Sequence, residues 1–121
     1  MEKRIREIIN ENSGVAGVVI RDSFGKLLMI NEEVVFPSAS IIKLFILMAL
    51  NKEDYNKRIE LKKVDKVGGC GILKVMEDGL PLTVKDTAYL MICLSDNIAT
   101  NILIDYIGMD KINESIKANG F

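Results

Sequence analysis

At 121 residues, 49% of them hydrophobic, the chain has the length and apolar mass of one domain with its own core. Sixteen basic residues against 17 acidic ones leave a net charge of −1, with no electrostatic footprint for nucleic acid or an anionic membrane. The absence of histidine removes Ser-His-Asp and Cys-His catalysis together with the commonest zinc ligand, so acid–base work falls to Lys, Asp, Glu, Tyr or Cys.

The charged start, Met1 to Glu7, lacks the apolar core and small-residue cleavage site of a secretion signal, which leaves the compartment open. Ile5, Ile8 and Ile9 recur at helical spacing among charges, predicting an amphipathic first helix that Ser13-Gly14 ends. Val15 to Arg21 is a β-branched run; Asp22 to Gly25 is turn chemistry; Lys26 to Asn31 resumes the apolar pattern, so the pair is expected as a hairpin. Two strands alone are marginal and call for a helix on one face or further strands along an edge.

Phe36 to Leu50 reads as a turn followed by a helix apolar on nearly every face, which predicts burial at the centre of the fold. Lys43 breaks that pattern. An ammonium in so apolar a run must reach a polar cavity or give up its proton. Ser40, three positions earlier, shares its helix face, and a serine next to a desolvated amine permits nucleophilic catalysis without histidine. Free backbone N–H groups in the first helical turn would favour the negative charge that such a reaction develops. The stretch alone also fits a blander reading, in which Lys43 snorkels to water and Ser40 or Ser38 merely caps the helix.

Asn51 to Val67 is dense in charge and is expected as a short solvated helix or an irregular connection without chemistry. Gly68-Gly69-Cys70-Gly71 forces a turn, matching neither a Walker loop nor a dinucleotide fingerprint, and Ile72 to Met76 follows as a short helix stopped by Asp78-Gly79. Leu80 to Thr83 reads as a helix start in which Thr83 caps and Asp86 returns the bond, with the apolar run Ala88 to Leu94 behind it. Ser95-Asp96-Asn97 breaks that helix; Asp96 can cap the next, Ile98 to Ile107, which Gly108 closes. Taken alone, this polar island needs no role beyond the helix break. Asp110 is expected to cap a last helix carrying Ile112 and Ile116. Cys70 and Cys93 are too few for a disulfide framework or a metal site and are expected as reduced, buried small residues. The longest strongly apolar run, Leu44 to Leu50, is too short to span a bilayer.

Together, Ser40-Ile41-Ile42-Lys43 and, 52 residues after that lysine, Ser95-Asp96-Asn97 resemble the motif set of class A β-lactamases and penicillin-binding proteins. The flanks Phe36 to Ala39, Gly71 to Leu73 and Asp96 to Ile104 are similar to that family as well, so the resemblance covers nearly the whole chain. It implies a mainly helical α+β fold: the family's helical region with an N-terminal β-hairpin, truncated relative to the full fold and spanning 1–121 as a single partial domain.

It implies Ser40 as the nucleophile acylated by a lactam carbonyl, Lys43 as the group that helps remove its proton, and Ser95 as proton donor to the leaving nitrogen. Asn97 would bind the substrate amide and steady Lys43, Asp96 would be structural, and Cys70 would sit on the loop overhanging the cleft, beside substrate. No cofactor or metal is implied. The family's Lys-Thr-Gly segment is absent, and its deacylating glutamate is expected beyond residue 121. The partner is therefore expected to be a small β-lactam or a cell-wall peptide. A D,D-peptidase-type acyl transferase and an inactive oligomeric fragment are the alternatives to a hydrolase. Unpaired strand edges and uncovered helical surface predict a homodimer or higher oligomer.

Overall fold

The computed structural model describes residues 1–25, 27–51 and 54–121. Lys26, at the start of the second predicted strand, and Lys52 and Glu53, in the charged connection, lie outside the described residues. Among the described residues, five α-helices and two small antiparallel sheets are distributed over two compact units, 1–37 and 38–121. The fold is α+β and mainly helical, as the resemblance implies.

In the 1–37 unit, α1 (Glu2–Asn10) precedes a hairpin of β1 (Val18–Arg21) and β2 (Leu27–Ile30). Val18 pairs with Ile30 and Ile20 with Leu28, while Val19 and Met29 share the other, exposed face. Both predicted elements are present.

In the 38–121 unit, a 3-10 turn (Ala39–Ile41) runs directly into α2 (Ile42–Ala49). The helix buries one stripe, Lys43, Ile46 and Leu50, and leaves Ile41, Leu44 and Met48 exposed. This corrects the expectation of burial on every face. The charged connection also differs from expectation, because it holds a strand: β3 (Arg58–Glu60) pairs antiparallel with β4 (Pro81–Thr83). Pro81 to Thr83, within the stretch predicted as a helix start, therefore forms a sheet edge, where proline's missing N–H is tolerated. Only Thr83 behaves as expected. It caps α3 (Val84–Cys93) by accepting from the Asp86 N–H at 3.0 Å, and Asp86 accepts in return from the Thr83 N–H at 3.4 Å.

The predicted helix after the glycine cluster is a single 3-10 turn, Leu73–Val75. Asp96 caps α4 (Asn97–Ile107), and Gly108, at φ 86°, ends it while serving as the N-cap of α5 (Met109–Ala118). Because one left-handed residue joins the two helices, Asp110 falls in the first turn of α5 rather than at its cap, another departure from expectation. The core packs Ile46, Leu61, Leu73, Met91, Ile98, Leu103 and Ile112, all essentially inaccessible, and each such side chain contributes about 1.5–3 kcal/mol by leaving water. Cys70 and Cys93 are free but exposed, not buried as predicted. Among the described residues, no helix is long and apolar enough to cross a membrane.

Candidate active site

The site is assembled from two chain segments in the 38–121 unit. Ser40 lies in the 3-10 turn ahead of α2, and Lys43 one turn further on points into the unit, only 6% exposed. Neither Ser38 nor Ser40 makes a side-chain cap bond, so the capping and snorkelling reading fails on both counts. Ser95 and Asn97 come from the corner between α3 and α4.

Lys43 Nζ donates to Ser95 Oγ at 2.7 Å, to the Ser95 carbonyl at 2.8 Å, to Asn97 Oδ1 at 3.2 Å and to Ser40 Oγ at 3.3 Å. Ser40 Oγ and Ser95 Oγ are 2.9 Å apart. Four acceptors around one ammonium with three protons satisfy a buried charge that would otherwise be costly. The two shortest bonds go to Ser95. Ser40 therefore has two short routes to the amine, one direct and one through the Ser95 hydroxyl.

Backbone strain brackets the cluster. Ala39 and Ser95 sit at φ 44° and 52°, in the left-handed region that side chains other than glycine enter at a cost of about 1–3 kcal/mol each. At Ser95 that twist accompanies a carbonyl and a hydroxyl both held by one ammonium, which offsets part of the cost.

Asp96 is fully buried and faces a different set of partners. One carboxylate oxygen accepts from the N–H groups of Ile72 and Leu73 at 2.7 and 2.9 Å, the other from Ile98 and Ala99 at 2.9 and 3.1 Å. It pins the segment after the glycine cluster to the start of α4, and none of its side-chain bonds reaches Lys43. The Asn97 N–H donates to the Cys70 carbonyl at 3.0 Å. Cys70 thus meets the corner through its backbone, and its thiol makes no hydrogen bond among the described residues.

The glycine cluster does more than form a turn. Its glycines allow backbone to press onto polar side chains: at Gly71, φ 118°, a Cβ would overlap the Asp96 carboxylate, and at Gly69, φ 98°, it would meet the Asn97 amide. Three glycines in four residues, more than one turn requires, was the available signal. Gly71→Ala is accordingly expected to lower the thermal midpoint by several degrees and to slow any reaction at Ser40, both readable on one purified variant. Its φ and its lost contact act in the same direction.

Set against known proteins, residues 1–121 match the model of the beta-lactamase enzyme family. The beta-lactamase BRO-1 of Moraxella catarrhalis is 29% identical over 132 residues, which cover 99% of this chain and 42% of its own length. A solved beta-lactamase from Sphaerobacter thermophilus superposes with a TM-score of 0.89 at 33% identity, over 98% of this chain and 48% of its own. A PBP-A mutant, solved as an acyl-enzyme complex with penicillin G, superposes with a TM-score of 0.84 at 26% identity, over 97% of this chain and 48% of its own. The chain spans less than half the length of these relatives. Matched along its whole length, it belongs to the beta-lactamase enzyme family, of whose fold it has a mainly helical portion.

Proposed function

We infer that Ser40 is the nucleophile of a serine β-lactamase-type hydrolase that opens the amide bond of β-lactams through an acyl-enzyme. The observation that carries this reading is the closed hydrogen-bond set of Ser40, Lys43 and Ser95 around a buried amine. In its neutral form Lys43 takes the Ser40 proton, directly or through Ser95, as Oγ bonds to the lactam carbon. The Ser40 N–H at the head of α2 supplies one donor to the resulting oxyanion. The C–N bond then breaks and the nitrogen leaves with a proton handed on by Ser95. Asn97, bonded to Lys43 through Oδ1 and to the Gly68 carbonyl through one amide N–H at 3.5 Å, has its second amide N–H for the substrate's amide side chain. Cys70 lies on the loop covering Asn97, at the edge of the space a substrate would occupy.

A second reading, a penicillin-binding D,D-peptidase-type acyl transferase, draws support from the likeness to PBP-A. Incubation with a chromogenic cephalosporin, followed by intact-mass spectrometry, separates the two. Continuous colour release supports the hydrolase; a single stable adduct on Ser40 supports the transferase. Failure of both, in a protein that still unfolds cooperatively, would leave only an inactive module.

A further inference from the structure

The loop over Asn97 is fastened unevenly. Its later half is held firmly, since Asp96 accepts from the Ile72 and Leu73 N–H groups and the Asn97 N–H donates to the Cys70 carbonyl at 3.0 Å. Its earlier half, Gly68 and Gly69, makes no backbone–backbone hydrogen bond among the described residues. Paired glycines have the widest conformational freedom a chain offers, so this half keeps its place only through side chains. Two reach it. The Asn97 amide donates to the Gly68 carbonyl at 3.5 Å, the outer limit of a hydrogen bond, and Lys74 Nζ donates to the Gly69 carbonyl at 3.0 Å.

Gly69 is also the residue pressed onto the Asn97 amide nitrogen, where a Cβ would overlap Nδ2. The oxygen of that amide accepts from Lys43 at 3.2 Å. The amide is thus gripped at both ends, by Lys43 at Oδ1 and by the Gly68-Gly69 backbone at Nδ2, and a shift of that backbone would free its NH₂ to turn. Lys74 opposes the shift. Its own backbone is fixed, because it lies in the 3-10 turn Leu73–Val75 directly after Leu73, whose N–H Asp96 holds. We propose that Lys74 is a positioning residue: by holding the Gly69 carbonyl it keeps the second Asn97 amide N–H aimed at the amide side chain of the substrate. The substrate half of this rests on the reading of Ser40 as nucleophile; the hold on Asn97 does not.

Lys74→Met is compared with Lys74→Arg, which keeps a donor of similar reach. In the free protein, exchange of the Asn97 side-chain amide and backbone N–H protons with water, read by NMR, is expected to quicken roughly threefold to tenfold in the methionine variant, as loss of one hydrogen bond of ordinary strength dictates. The arginine variant should exchange at the parent rate. Acylation of Ser40 is then followed by intact-mass spectrometry with penicillin G and with 6-aminopenicillanic acid, which has the same lactam and carboxylate but no amide side chain. In the methionine variant the half-saturating concentration of penicillin G should rise by a similar factor, while its maximal acylation rate and the response to 6-aminopenicillanic acid stay unchanged. Equal weakening toward both lactams overturns the proposal, because the lysine would then serve the carboxylate or the nucleophile. So does Asn97 exchange that methionine leaves at the parent rate. Should neither lactam acylate the parent protein, the Ser40 reading falls and the substrate half with it, while the exchange comparison still decides whether Lys74 holds the Asn97 amide.

Discussion

Lys43→Met is expected to slow acylation of Ser40 by penicillin G by roughly a thousandfold, within the 10²–10⁴ range typical for loss of a positioned base, while the fold survives. The magnitudes separate the two effects. Methionine fills nearly the same apolar volume and removes a buried charge, a change that is often neutral or stabilising. Against that, the Ser95 carbonyl and Asn97 Oδ1 lose their Lys43 donor, and each buried group left unsatisfied costs about 1–3 kcal/mol. A net change of no more than about 3 kcal/mol in a denaturant melt, beside a thousandfold slower adduct by mass spectrometry, is the expected pair. Lys43→Arg sharpens the question. A guanidinium keeps the charge but does not give up its proton, so it should be as slow as methionine. Wild-type rates in the arginine variant would mean that charge, not proton acceptance, is what the lysine supplies.

The largest loss of stability is expected at Asp96. Its two oxygens hold four backbone N–H groups from two segments, in a residue with no exposed surface. Asp96→Ala strands those donors in the interior and removes the cap of α4, which together should cost about 3–5 kcal/mol. Asp96→Asn keeps one oxygen but turns an amide NH₂ toward donors that need an acceptor, so it should recover only part of the loss. Chemical denaturation of both variants checks the order. An alanine variant as stable as the parent would show that water reaches these groups and replaces the carboxylate. Because the Gly71 to Leu73 segment is released along with the start of α4, acylation at Ser40 should fall as well.

Much of the 38–121 unit could be read from local chemistry. Thr83 and Asp86 announced a reciprocal cap, Asp96 and Gly108 bounded α4, and the three-residue step from Ser40 to Lys43 put both on one face. These features act within one turn of helix, and sequence encodes them directly. What escaped was decided at longer range. β3 and β4 are three residues each, too short for an alternating pattern, and they pair only because the chain between them folds back. The exposure of Cys70 and Cys93 depends on neighbours that the sequence does not place next to them. The twisted backbones of Ala39 and Ser95 carry no compositional mark, because neither residue is one that favours that conformation. The role of Gly71 became visible only when Asp96, 25 positions away, was found against it.

The hydrogen bonds joining Ser40 and Lys43 to Ser95 and Asn97 cross 52 to 55 positions of chain. Loops of that size close late, after the helices they connect have formed, because ordering so long a segment must be repaid by contacts made at its ends. Any reactivity of Ser40 that depends on Lys43 and Ser95 thus requires the finished tertiary contacts. A covalent probe on that hydroxyl would follow refolding in real time, labelling molecules only as the last contacts lock.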